Sequence, residues 1–500
     1  MNFVGVWLLA AVFARPLERV ATMDPVRAQS AYDARAIQLV YETPLAIDYA
    51  ARPYRLVAGC CHLPAVSADG RVYAFRMTDV TPLTADDVVR ALSRVRDPAE
   101  ASPGAWTLAA VETLRVTSPR TFEIQLKSPN PVFLWMMAMD YAAVPAADGT
   151  GTGPYRLVSW RKNHAMTFER NPAWRAALSE APGEPFEMIR YYVVDDPSTQ
   201  WLMFLRGEID FLGSISRDNW DAITDGRGGL KAEYAARGMR LMVAPTLDVF
   251  YFGINMRDPV LGTNRKLRQA LNCAFDFPAW RKFYNDRVEI ADGPVPHGVP
   301  GRLEEPFAYA YDLEKARKLL AEAGYPEGLD PATGRRLVLT LDIGRPSQDS
   351  REAGELAAGF YEKLGIRLEL NFRTWEAFLS AVNEGRVQLY YMGWVGDYPD
   401  AENFLQLFHS KNVSPGPNHS NYTNAVFDAA FDAARTARDE ATREALWRTC
   451  QQIIREDCPW VFVHFPRAYS LIGPRVENYR PSAFPYGEER HLRVKSVSEK

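Results

Sequence analysis

Cysteine and histidine are scarce in this 500-residue chain, and neither is spaced for chemistry. The five cysteines, Cys60, Cys61, Cys273, Cys450 and Cys458, form no CxxC pair, which excludes the usual zinc spacings, and their odd number excludes a fully paired disulfide scaffold. They read as small buried hydrophobes, with Cys450 and Cys458 able to pair only if the segment between them folds back. The seven histidines (His62, His164, His297, His409, His419, His464, His491) include no HExxH or similar pair on one helical face, so no metal site is expected from them. No GxSxG elbow is present, and nothing local marks Ser67, Ser214 or Ser470 as a nucleophile. There is no basic block, and the net charge is −4, so neither nucleic acid nor an anionic membrane surface is expected as a partner. The apolar run "FVGVWLLAAVFA" (Phe3 to Ala14) spans 12 residues, too few for a bilayer. It suits an export signal cleaved after Ala14, although no Lys or Arg precedes it; the alternative is a buried first strand or helix.

Hydrophobic residues make up 47% of the chain and charged ones 24%, enough apolar surface for two or three globular domains. Strand and helix patterns alternate most clearly between Leu337 and Met392. "LVLTLDI" reads as a strand. Asp349, with Glu352 three residues on, reads as a capped helix start, with Ala353, Leu356, Ala357, Phe360 and Leu364 on one face and Gly365 as the stop. "IRLELNF" alternates as a strand, Thr374 caps the helix "WEAFLSAVNE", and "VQLYYM" is the next strand. Such a β-α-β-α-β series predicts an open parallel sheet, whose ligands sit beyond the carboxyl ends of the strands. Earlier, "VYAFRM", "TFEIQL" and "PYRLVSW" predict strands, "TADDVVRALSRV" a helix capped by Thr84, and "AADGTGTGP" (Ala146 to Pro154) a domain-boundary turn. That turn lacks the GK[ST] ending and the following helix of a phosphate loop.

The stretch "YYMGWVGDYPDAENFLQLF" (Tyr390 to Phe408) places Asp397, Asp400 and Glu402 among aromatic side chains at one of those strand ends. Paired carboxylates serve general acid and base chemistry, so a hydrolase using Asp397, Asp400 and Glu402 is one reading. The structural alternative is that Asp400 and Glu402 favour the start of a helix near Asn403, which leaves Asp397 without a role.

Six motifs in order, "TPLTADDVVRALSRVRDP", "GTGPYRLVSWRKNHAMTFERNPAW", "FLRGEIDF", "NRKLRQALNCAFD", "YDLEKARKLLAEAGYPEG" and "MGWVGDYPDAENFLQLF", resemble the family 5 solute-binding proteins of ABC importers, which include dipeptide- and oligopeptide-binding proteins. The resemblance runs from about Asp24 to Leu471. It implies an α/β, two-lobed periplasmic-binding-protein fold: a signal segment at 1–14, lobe I from 15–50, 146–248 and 462–500, a small sublobe at 51–145, and lobe II at 249–461. It implies that Asp397, beside Trp394, binds the ligand's α-ammonium group, and that Arg373 and Thr374 contact its backbone or carboxylate. Trp375, Gly396 and Tyr398 complete the expected ligand-binding set. The stretches Phe75 to Thr81 and Val144 to Gly151 are shorter than in the family, which bears on ligand length and leaves a degenerate, non-binding homologue as a further alternative. The expected partners are a peptide or similar amine-bearing solute and a membrane permease, with metal chelates, haem or oligosaccharides as other ligand classes. An exported monomer without catalytic residues, metal or cofactor is expected.

Overall fold

The computed structural model describes residues 11–495 except 18, 175–182, 214, 227, 345–346, 438 and 485–486. Ser214 and most of the apolar run Phe3 to Ala14 therefore lie outside the described residues. The chain forms two compact units, Met1–Ala244 with Ala468–Lys500, and Pro245–Arg467. The second crossing lies inside a single long strand, Trp460–Ile472. Among the described residues no helix is long and apolar enough to cross a membrane.

In the first unit, the strand Val12–Leu17 pairs in parallel with Met188–Val193, followed in the sheet by Ala165–Arg170 and Tyr155–Arg161. Phe13 and Ala14 are buried in this strand. Arg15 from this strand and Arg35 from the helix Ala31–Val40 share Glu488 and Glu489 near the C-terminus. Arg15 Nη1 lies 2.8 Å and Arg35 Nη1 2.5 Å from Glu488 Oε1. Burial would raise the Glu488 carboxyl, but the two guanidinium groups hold it below its usual range.

A second sheet of the same unit orders Ala65–Val66, Val72–Arg76, Thr121–Leu126 and Val111–Ser118. Alternation works as expected: Tyr73 and Phe75 point inward and the Phe75 and Phe122 rings stack at 4.9 Å. The helix Ala85–Arg96 covers it with Val88, Leu92 and Val95, and Thr84 and Asp87 form a reciprocal capping box. The turn after Ala146 lies within this unit, between the last strands of this sheet and the strand Tyr155–Arg161 of the first. Its glycines serve a close approach: the Gly153 N–H donates to Val40 O at 2.8 Å, and a Cβ on Gly151 would stand 2.2 Å from that oxygen.

In the second unit, the strand Val338–Gly344 lies between Leu389–Val395 and Arg367–Arg373, parallel to both, and Asp248–Ile254 runs antiparallel on the outer side of Leu389–Val395. The helix Gln348–Glu362 buries Ala353, Ala357 and Phe360 on this sheet. Its capping box is Ser347 with Ser350, not Asp349 with Glu352, because the serine hydroxyl one turn earlier reaches the Ser350 N–H at 3.1 Å. Thr374 caps the helix Trp375–Asn383 as expected. Cys450 and Cys458 do not meet. Cys450 lies within the helix Glu440–Asp457 and Cys458 is its C-cap, a rise of about 12 Å at 1.5 Å per residue, and both thiols are free.

Candidate functional site

Three parallel strands of the second unit end on one side of its sheet, with Ile343 level with Tyr391 and Gly344 level with Arg373. The segment after Leu389–Val395 carries Gly396, Asp397 and Tyr398 beyond that edge. Gly396 is required by proximity: its N–H donates to Leu247 O at 2.9 Å, and a Cβ would stand 2.6 Å from that oxygen and 3.0 Å from the Phe404 ring. The chain then turns into the helix Ala401–Leu405, which begins two residues before the predicted start near Asn403 and has Asp400 as its N-cap.

Asn403 is completely buried and organises the turn. Its Oδ1 accepts from the Trp394 indole N–H at 2.8 Å and from the Asp397 backbone N–H at 3.2 Å, while its Nδ2 donates to Asp397 Oδ2 at 3.0 Å. Burial pushes the half-buried Asp397 carboxyl above the ordinary aspartate range, and the Asn403 amide only partly opposes this. Among the described residues no Lys, Arg or His forms an ion pair with Asp397.

The other two carboxylates of the stretch are already neutralised. Arg443 donates to both oxygens of Asp400, at 2.6 and 2.8 Å, and Arg435 Nε lies 2.9 Å from Glu402 Oε1. Burial pushes Glu402 up to about 7, with Asp400 adding to the rise and Arg435 and Arg443 opposing it. Both acids therefore serve the helix start and its ion pairs.

Arg373, Thr374 and Trp375 form a separate group at the end of the next strand but one. Arg373 Nε is 2.5 Å from Oδ1 of the buried Asp342, which also accepts from Asn371 Nδ2 at 2.7 Å, so the guanidinium offsets an internal charge. Thr374 Oγ1 faces the Ala377 N–H at 3.5 Å as a helix cap. Trp375 stacks on Phe378 and passes close to Gly344, where a Cβ would stand 3.0 Å from its ring. Tyr398 is buried, and burial followed by the charges of Glu402 and Asp400 raises its phenol well above the normal value.

Asp248 was not singled out in the sequence, where it reads as a polar start to the apolar run "DVFYFGI". It pairs in register with Val395, is half-buried, and is pushed up to about 6 by burial, against bonds from the Thr246 hydroxyl and the Gly396 N–H. Asn403 and Asp342 also escaped notice, since an amide inside a helix and an acid inside a strand carry no local signature. Among the described residues no three His, Cys, Asp or Glu side chains gather as a metal site. His464 accepts the Trp280 indole N–H at 3.1 Å, and burial lowers it to about 3. Ser67 lies in an exposed turn bonded to Asp69, and Ser470 is a buried partner of Tyr479.

The sequence matches the family described as bacterial extracellular solute-binding proteins, family 5 Middle, over residues 57–415. The chain belongs to that family. This family 5 protein is 24% identical over 464 residues to heme-binding protein A of Haemophilus influenzae, covering 84% of this chain and 81% of the other. It is 25% identical over 474 residues to di/tripeptide-binding protein 2 of Pseudomonas aeruginosa, covering 86% and 84%. Among solved structures it resembles HbpA2 of Haemophilus parasuis (TM-score 0.83, 24% identity, 97% and 99% covered). It also resembles the periplasmic binding protein DppA of Helicobacter pylori in complex with the peptide STSA (TM-score 0.77, 21% identity, 97% and 98% covered). The fold is thus that of the family's binding proteins, as the resemblance implied.

Proposed function

We propose that this chain is the solute-binding component of an ABC importer, and that it anchors the ammonium group of a peptide or similar amine-bearing solute on Asp397 before delivery to a membrane permease. The observation that carries this reading is the state of Asp397: a carboxylate beyond the ends of parallel strands, held by Asn403, raised by burial, and without an ion pair among the described residues. A carboxylate in that position is costly alone and becomes favourable when a cation with good hydrogen-bond geometry meets it. Arg373 has Asp342 to neutralise, so its role toward ligand is the positioning of the adjacent strand end, with Thr374 and Trp375. Against hydrolytic use of the stretch stands the commitment of Asp400 and Glu402 to arginines. A relative named for di- and tripeptides favours a short peptide; one named for haem makes haem the comparison ligand.

Titration calorimetry of the full chain with short peptides, free and N-acetylated, tests the anchor. Free peptides are expected to bind, and acetylation or Asp397→Ala to weaken binding by roughly 3 to 5 kcal/mol, at least about a hundredfold. Equal affinity for free and acetylated peptides would overturn the ammonium assignment, and binding of haem alone would overturn the peptide class.

A further inference from the structure

Two of the five cysteines stand side by side in the first unit, and both are fully buried. Consecutive strand residues point to opposite faces, but a bend at Cys60 brings the two Sγ atoms to 4.0 Å. Across an antiparallel bridge, the Cys61 thiol donates to the Met77 thioether at 3.6 Å. The backbone holds this bend firmly. The N–H groups of Cys60 and Cys61 donate to Thr43 O at 2.9 Å and Pro44 O at 3.0 Å, and the Cys60 carbonyl accepts from the Thr78 N–H at 2.9 Å. The Cys61 sulfur therefore has a second soft sulfur at 4.0 Å and a third at 3.6 Å, at a place in the first unit that the solute-anchoring role of Asp397 does not use.

We propose that Cys60, Cys61 and Met77 form a binding site for a soft monovalent cation, copper(I) or silver(I). Two metal–sulfur bonds of about 2.3 Å, opened to about 120°, span about 4 Å between sulfurs, close to the spacings already present. Thiolate and thioether donors select copper(I) over harder ions. Charge points the same way. A monovalent ion with the Cys61 thiolate is neutral, as a buried site requires, with the Met77 thioether and the Cys60 sulfur as the further donors. Zinc would need a fourth donor and more negative charge. His62 follows in the chain, but its Nε2 lies 3.0 Å from Arg76 Nη2 and is engaged there. Binding releases the Cys61 proton to solvent.

The test is anaerobic titration of the reduced full-length protein with copper(I) supplied as its bathocuproine disulfonate complex, followed by absorption and thermal melting. One equivalent of copper is expected to leave the chelator, with a thiolate-to-copper absorption band and a raised melting temperature. Met77→Leu, which conserves volume, is expected to weaken binding by at least about tenfold, and Cys61→Ala to remove it. Cys273→Ala, at a buried thiol of the second unit, should bind as the parent does. No uptake by the folded protein would overturn the proposal. So would equal uptake by Met77→Leu and Cys61→Ala, or uptake with a lowered melting temperature, which marks capture by thiols of the unfolded chain.

Discussion

Asn403 and Asp397 are joined twice: the Asn403 amide nitrogen donates to Asp397 Oδ2 at 3.0 Å, and the Asp397 backbone N–H donates back to Asn403 Oδ1 at 3.2 Å. The same amide oxygen takes the Trp394 indole N–H. One buried side chain thus sets the orientation of the carboxylate and of the aromatic ring beside it. Asn403→Ala leaves the indole N–H and a carboxylate oxygen without this partner and is expected to destabilise the fold by about 1 to 3 kcal/mol. Chemical denaturation measures that loss, and calorimetry should show weaker binding of amine-bearing peptide.

The proton competes with a cationic solute for Asp397. Because burial raises this carboxyl, affinity for an amine-bearing peptide should begin to fall at a higher pH than an ordinary aspartate would give. Affinity measured from pH 8 down to pH 4 should decline through the raised pKa. The residual binding of Asp397→Asn should lack that decline, and a parallel decline in the variant would place the titration elsewhere.

Glu402 is pushed up to about 7 from an ordinary value of 4.5. A carboxyl raised in the folded state binds its proton more tightly there than in the unfolded chain. Its contribution is complete below about pH 4.5 and is lost as pH rises toward 7. Glu402→Gln keeps the shape and an acceptor for Arg435 without the charge. It should reduce the stability difference between pH 4.5 and pH 8 by at most roughly 3 kcal/mol, read from urea unfolding at both values.

Arg443 neutralises Asp400, whose side chain is only 10% exposed. Arg443→Met removes the bidentate partner and leaves the carboxylate buried, so a loss of about 3 to 5 kcal/mol is expected. The double variant Arg443→Met with Asp400→Asn should recover much of it, since the amide still caps the helix. A double-mutant cycle on urea unfolding measures the coupling.

Gly396→Ala drives a Cβ to 2.6 Å from a backbone carbonyl that cannot rotate away. Overpacking of this kind costs typically about 1 to 3 kcal/mol. The displaced segment carries Asp397, so peptide affinity should fall together with the unfolding midpoint.

Local patterns of the sequence determined the elements of the second unit's sheet, the cap at Thr374 and the family membership, because periodicity, caps and short motifs are written in neighbouring residues. Thr84 was legible as a cap for the same reason, while its reciprocal bond with Asp87 came from the structure. The Ser347 cap was missed because Asp349 with Glu352 offered an equally good pattern, and only the actual backbone turn chose between them. Likewise, the partner of the apolar residues Val12 to Ala14 was not legible, because the strand they pair with, Met188–Val193, lies far along the chain. The site divides in the same way. Asp397 stood out by its motif, but its partner Asn403, the neutralisation of Asp400 by Arg443 and of Arg373 by Asp342, and the raised carboxyl of Asp248 depend on residues that the chain brings together from elsewhere. Burial and the position of the nearest opposite charge decide what a carboxylate does, and both are properties of tertiary structure alone.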